Sequence, residues 1–324
     1  PLPYTCGGWR GPAKGDGVPI DWRKGLEELV GEAKTVPASR VAALSDLSQS
    51  DMVSFRQMWQ GMKTESRRQI VSRMVELAED NVDLSFESVF RLLLDDPDGG
   101  VREKAIEGLA ESDEPHLIES LLRALRQDGE VRVRAAAAVA LGRFVLLAEL
   151  GKLRASYGER LLAALLEVLD HSDQPVEVRR RVVEAIASFN NPRVAQVIQD
   201  AYGSPARPMK ASALHAMGRN CDRRWLPVLL KELASPEADL RYEAATACGE
   251  LGEEDAIPHL VRLTRDPDPQ VQEAAVTALG RIGTSEAKRA LRESMRGNDG
   301  HLRDAALEAL GEGEAGDVPF SSYE

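Results

Sequence analysis

The chain has 324 residues, with 41 Lys and Arg against 53 Asp and Glu. The resulting formal charge of −12 disfavours phosphate backbones and anionic lipid, both of which bind through excess cations. Hydrophobic residues make up 43% and aromatic residues only 5%, enough for a large core but poor in sheet formers, which predicts a helical protein. Three cysteines (Cys6, Cys221 and Cys248) without a CxxC pair exclude a four-thiolate zinc site and a fully paired disulfide framework. No run approaches the ~20 apolar residues of a membrane helix, and the start lacks a basic-then-apolar leader. The expectation is a cytoplasmic protein with neither nucleic acid nor membrane as partner.

In chain order, residues 1–47 read as an arm. Seven Gly and five Pro among the first 40 positions oppose regular structure, while Trp22, Leu26, Leu29, Val30 and Ala33 align on one short amphipathic helix. That helix is expected to cap the first repeat, partner capture being the alternative. Residues 48–311 then read as helix pairs. Met52, Phe55 and Trp59 form one stripe, and Ile70, Met74 and Leu77 the next.

A ten-residue block follows and recurs: VREKAIEGLA from Val101, VRAAAAVALG from Val133, VRRRVVEAIA from Val178, MKASALHAMG from Met209, LRYEAATACG from Leu240, VQEAAVTALG from Val271 and LRDAALEALG from Leu302. Successive starts lie 32, 45, 31, 31, 31 and 31 residues apart, a regularity that marks a repeat architecture. Apolar residues at ranks 1, 5, 8 and 9 share one helical face, and small residues permit close approach, so each block is the inner helix of a pair. A second amphipathic run precedes most blocks, such as Leu117 to Leu125 and Ile257 to Leu263. One pair cannot cover its own apolar face, so neighbours must stack. Where the step is 45, Phe144 to Leu150 continue the helical pattern. The extended helix is expected to pack Phe144, Leu147 and Leu150 or to wall one end of a groove. Residues 312–324, with Glu312, Glu314 and Asp317, read as an acidic, solvated tail.

The block and the Asp-Pro-Asp turns before it, as at Asp96-Pro97-Asp98 and Asp266-Pro267-Asp268, resemble HEAT repeats, especially the short HEAT-like repeats of bacterial proteins and phycobilin lyases. The resemblance spans Ser50 to Gly311. It implies an all-α fold, a right-handed α-solenoid of about eight HEAT-like helix pairs, used as a binding scaffold.

Rank 2 of the blocks holds Arg102, Arg134, Arg179, Lys210, Arg241, Gln272 and Arg303, and six residues earlier stand Asp96, Asp128, Asp173, Ser204, Ser235, Asp266 and Gly297. In HEAT-like families residues at these places link adjacent repeats, which implies a structural ladder of Asp96, Arg102, Asp128, Arg134, Asp173, Arg179, Arg241, Asp266 and Arg303; planar guanidinium suits carboxylate partners. The five histidines carry no HExxH, and none precedes Glu, unlike the His-Glu dipeptides that hold iron in HEAT-like deoxyhypusine hydroxylases, so no metal or cofactor is expected. No GxSxG elbow or GxxxxGK[ST] loop occurs either.

Ranks 3, 7 and 11 project together, away from the core. They bring out Arg180, Glu184 and Ser188; Ala211, His215 and Arg219; Tyr242, Thr246 and Glu250; then Glu273, Thr277 and Arg281. Arg and Tyr dominate interface hot spots, so this stripe predicts a groove for a peptide or helix of another protein on the concave face, centred on Arg180, His215, Arg219, Tyr242 and Arg281. The expected function is a non-enzymatic interaction scaffold. The alternative is a phycobilin lyase-like accessory that binds a chromophore or modifies a protein. A HEAT-like DNA glycosylase is disfavoured by the carboxylates in the stripe.

Overall fold

A computed structural model describes residues 22–30, 36–171, 173–294 and 300–315. Residues 1–21 with Cys6, Ala33 and residues 316–324 of the tail lie outside them, as do the side chains of Leu29, Val30 and His301. The described residues form helices joined by turns, without strands, in two compact units divided between Leu109 and Ala110.

The first unit holds α1 (Trp22–Val30), α2 (Ala38–Ala42), α3 (Gln49–Gln60), α4 (Thr64–Asp80), α5 (Glu87–Leu93) and α6 (Gly99–Glu107). The arm's stripe docks on α2 and α3: Trp22 and Leu26 are buried, and the Trp22 ring lies 6.4 Å from Phe55, which stacks on Trp59 at 5.3 Å. Ile70, Met74 and Leu77 are buried as their spacing predicts. Asp98 caps α6 by accepting from the Gly100 and Val101 amides. It also accepts from Arg68 Nε and Nη2, at 2.8 and 2.6 Å, and this pair above all holds its carboxyl at about 2.

The second unit is a stack of helix pairs: α7 (Leu117–Gln127) with α8 (Val131–Glu149), α9 (Ala155–Asp170) with α10 (Val176–Ile186), and α11 (Pro192–Tyr202) with α12 (Arg207–Asn220). Then follow α13 (Leu226–Glu232) with α14 (Ala238–Leu251), α15 (Ile257–Leu263) with α16 (Pro269–Ile282), and α17 (Ser285–Ser294) with α18 (Gly300–Ala315). Helix starts carry first-turn prolines at Pro192, Pro227, Pro258 and Pro269, and α14 and α16 end on Gly252 and Gly283 in the left-handed region at φ 73° and 65°. The second helices of the pairs lie side by side, each packed on the next.

The blocks explain that packing. A Cβ placed on the rank-10 glycine would stand 2.7 Å from Ala247 Cα at Gly218, 2.7 Å from Ala278 Cα at Gly249 and 2.7 Å from Ala309 Cβ at Gly280. Each alanine holds rank 8 of the following block, so a Gly-on-Ala seam recurs from repeat to repeat and sets how closely the helices approach.

The rank-2 side chains brace the turns, with partners that refine the expected ladder. Arg102, Arg134 and Gln272 donate to the backbone carbonyl six residues earlier, those of Asp96, Asp128 and Asp266, at 2.6 to 2.7 Å, and Arg241 does so to Ser235 at 2.9 Å. The carboxylates instead receive a cation from the preceding repeat: Asp266 takes Arg241 through two 2.7 Å bonds, and Asp96 lies 3.6 Å from Arg67 while accepting Trp59 Nε1 at 2.7 Å. In the repeat before Asp266 that acceptor is Glu232, which receives Lys210 at 2.9 Å and the Tyr202 hydroxyl at 2.6 Å. Among the described residues no bond joins Asp173 to Arg179, and Arg303 is exposed.

Helix α8 is extended to Glu149, as the 45-residue step implies. Phe144 and Leu147 are buried, but Leu150, expected to pack beside them, is 58% exposed: the helix has ended and Leu150 occupies its C-cap. Cys248 of α14 is fully buried, and burial pushes its thiol up to about 12, leaving it a small apolar residue.

Candidate functional site

Ranks 3, 7 and 11 alternate with the buried ranks on a straight helix, so they must line whatever grooves the second-helix layer leaves. Among the described residues, grooves open on that face of the second unit, and three of them gather these ranks. The largest, of about 620 Å³, is bounded by Leu146 and Glu149 of the α8 extension, Ser188 and Asn190 after α10, Arg219 to Arg223 at the end of α12, and Glu250. The next, of about 360 Å³, shares Leu146, Ser188, Arg219 and Glu250 and adds Val139, Arg143, Arg181, Glu184 and His215. The third, of about 220 Å³, lies between α14 and α16 and is lined by Tyr242, Thr246, Gln270, Glu273, Thr277 and Arg281.

The candidate residues are thereby brought together in two groups: Glu184, His215, Arg219 and Glu250 around the larger grooves, and Tyr242, Thr246, Glu273, Thr277 and Arg281 around the third. Arg180 lines none of the three, because Glu177 holds its guanidinium at 2.6 and 2.7 Å. Val139 and Arg143 hold ranks 7 and 11 of the block from Val133, one unit before the stripe as drawn, while Leu146, Asn190 and Asn220 are groove residues outside those ranks. Leu146 had a signal in the continued apolar run from Phe144 to Leu150. Asn190 follows the end of α10 and Asn220 is the last residue of α12, both past rank 11, where the stripe stops. Asn220 ties the end of α12 to the preceding repeat by donating to the Ala187 and Phe189 carbonyls at 2.8 and 3.4 Å, and accepts from Trp225 Nε1 at 3.0 Å.

Most groove charges are neutralised within the protein. Arg143 pairs with Glu111 and Asp113 at 2.7 and 2.6 Å, Arg181 with Glu184 at 2.9 Å, and Arg281 approaches Glu250 at 3.8 Å. Glu184 also accepts from the Ser212 hydroxyl. Arg219, Glu273 and Glu149, charged residues facing the grooves, stand apart. Among the described residues neither Arg219, shared by the two larger grooves, nor Glu273, in the third, has an ion pair or hydrogen bond from its side chain.

His215 is half-buried with Nδ1 3.7 Å from Glu243. The Glu243 carboxylate raises its pKa above the ordinary 6.5, burial opposes this, and Glu184 and Glu250 add attraction. A raised folded-state value means that this pair stabilises the fold fully below about pH 6.5 and loses that contribution as pH rises through the folded value. Glu243→Gln is expected to lower the His215 pKa, followed by its imidazole proton shifts in an NMR titration; an unmoved titration would refute the pairing. Among the described residues no three His, Cys, Asp or Glu side chains gather as a metal site, and no helix is long and apolar enough to cross a membrane.

The sequence profile of HEAT repeats matches residues 87–160, 162–231 and 226–311. No curated protein sequence matches the chain significantly. Among solved structures, the chain is similar to the Escherichia coli protein YibA at 18% identity, over 71% of this chain and 93% of that one, with a TM-score of 0.43. It is also similar to human deoxyhypusine hydroxylase at 18% identity, over 92% and 97%, with a TM-score of 0.36. A structure of the karyopherin Kap121p aligns at 15% identity over 89% of this chain with a TM-score of 0.50; the chain spans 37% of that protein's length. At that identity the likeness concerns the fold, an all-helical solenoid. The profile spans more than half of the residues, so the chain belongs to the HEAT-repeat family.

Proposed function

We propose that this protein is a non-enzymatic scaffold that holds a segment of another protein along the grooved face of its second-helix layer. The observation that carries the reading is Arg219, an arginine left without a partner on the wall between two adjoining grooves while the cations around it are paired. A guanidinium in that position supplies directed hydrogen bonds to a ligand without first breaking an internal pair. Tyr242, 41% exposed in the third groove, adds rigid amphipathic area of the kind that anchors interfaces. The structure of Kap121p that aligns with the chain holds the extreme C-terminus of the phosphatase Cdc14p, a use of such a fold in keeping with this reading.

The test is a photo-crosslinking residue placed at Ser188 or at Thr246 in the full chain in cells. We expect a protein adduct from both sites. Arg219→Glu with Tyr242→Ala should remove it, since two anchors of about 2 kcal/mol each amount to roughly 10³-fold in affinity. The melting temperature should stay within about 2 °C, because both side chains are exposed. No adduct from either position, or adducts that survive the double substitution, would overturn the proposal.

A further inference from the structure

We infer that the bound segment is charge-patterned: an acidic residue seats on Arg219 and, about six residues away along an extended chain, a basic residue seats between Glu273 and the Tyr242 ring. The inference rests on the binding reading above and adds the chemistry of the segment.

Arg219 and Glu273 are unpartnered charges of opposite sign that stand in different grooves. Of the carboxylates around Arg219, Glu184 is engaged by Arg181 and Glu111 by Arg143, whereas Glu250 has only Arg281 at 3.8 Å and keeps Oε2 buried without a hydrogen bond; none of them holds the Arg219 guanidinium, which presents a free fork of donors to an incoming carboxylate. Glu149, on the rim of the largest groove and also unpaired, directs that carboxylate toward the smaller adjoining groove. There Val139, half exposed, and Leu146 offer apolar surface to the residue beside it. In the third groove a free carboxylate, an exposed phenol ring and the hydroxyls of Thr246 and Thr277 surround one hollow. A carboxylate beside an aromatic face suits an ammonium or guanidinium group, which gains ion-pair and cation–π attraction together. Arg281, the other charge there, is turned toward Glu250.

The spacing follows from helix geometry. Arg219 holds rank 11 of its helix, whereas Tyr242 and Glu273 hold rank 3 of the next two, an offset of about 12 Å along parallel axes. One and a half interhelix spacings add about 15 Å across them. The diagonal is about 20 Å, the length of about six residues of extended chain.

A displayed library of random 12-residue peptides selected on the full chain tests this. Enriched binders are expected to carry Asp or Glu and, about five to seven residues away and always in the same order, Lys or Arg. In fluorescence anisotropy Arg219→Glu should weaken such a peptide about 30-fold, with recovery when the peptide's acid is exchanged for Arg. Glu273→Arg should act likewise, with recovery when the peptide's basic residue becomes Glu. Binders that lack the charge pair and ignore both reversals, yet are lost with Tyr242→Ala, would overturn the inference and leave the groove reading standing. A selection without any binder sensitive to Arg219→Glu or Tyr242→Ala would overturn both.

Discussion

Asp266→Ala is expected to destabilise the second unit by about 3 kcal/mol, measured by urea unfolding followed at 222 nm. The carboxylate is buried in the turn before α16, where it receives two 2.7 Å bonds from Arg241 of the preceding repeat and the Asp268 amide at 2.9 Å. Removing it strands a guanidinium that is itself largely buried, and also releases the turn amide. Arg241→Met, which removes the charge but keeps much of the aliphatic stem, should cost less. Repeat stacks hold together through nearest-neighbour interfaces, so the loss should separate the α15–α18 transition from that of the repeats before it. A single transition within about 0.5 kcal/mol of the parent would show that the bridge contributes little.

The second large effect concerns the Gly-on-Ala seam. Gly249→Val is expected to cost about 3 kcal/mol in the same assay, because its Cβ would meet Ala278 Cα at 2.7 Å, and backbone cannot move aside as a side-chain tip can. Gly311, the rank-10 residue of the last block, has nothing within 4 Å of its Cβ direction, so Gly311→Ala should be neutral or slightly stabilising as a helix substitution. A Gly249→Val variant as stable as Gly311→Ala would mean that the helices part without penalty, and the seam would not set their spacing.

The seam and the stacking were legible in the sequence because they depend on rank within a block, and rank survives translation by 31 residues. The ladder was legible in its positions but not in its partners. A six-residue offset places Arg102 near Asp96, yet spacing does not distinguish a carboxylate from the carbonyl of the same residue; the carbonyl wins because the turn leaves it unpaired by helix bonds. Groove-lining residues at ranks 3, 7 and 11 followed from helix periodicity. Arg180 departs from the pattern because Glu177, one turn earlier on the same helix, captures it, a local competition that a stripe drawn on a helical wheel omits. Leu150 misled for a different reason: hydrophobicity continued one residue past the point where the helix stops at Glu149.

A seam of identical joints also gives this protein a quantum of length. Excising residues 240–270 would leave Gly218 facing Ala278, an alanine of the same rank as the one it lost, so the joint would close without a new surface having to evolve. Such a deletion would carry Glu273 one helix nearer to Arg219 and remove Tyr242. Gaining or losing a unit is thus a way to rewrite what the chain recognises while leaving its architecture unchanged.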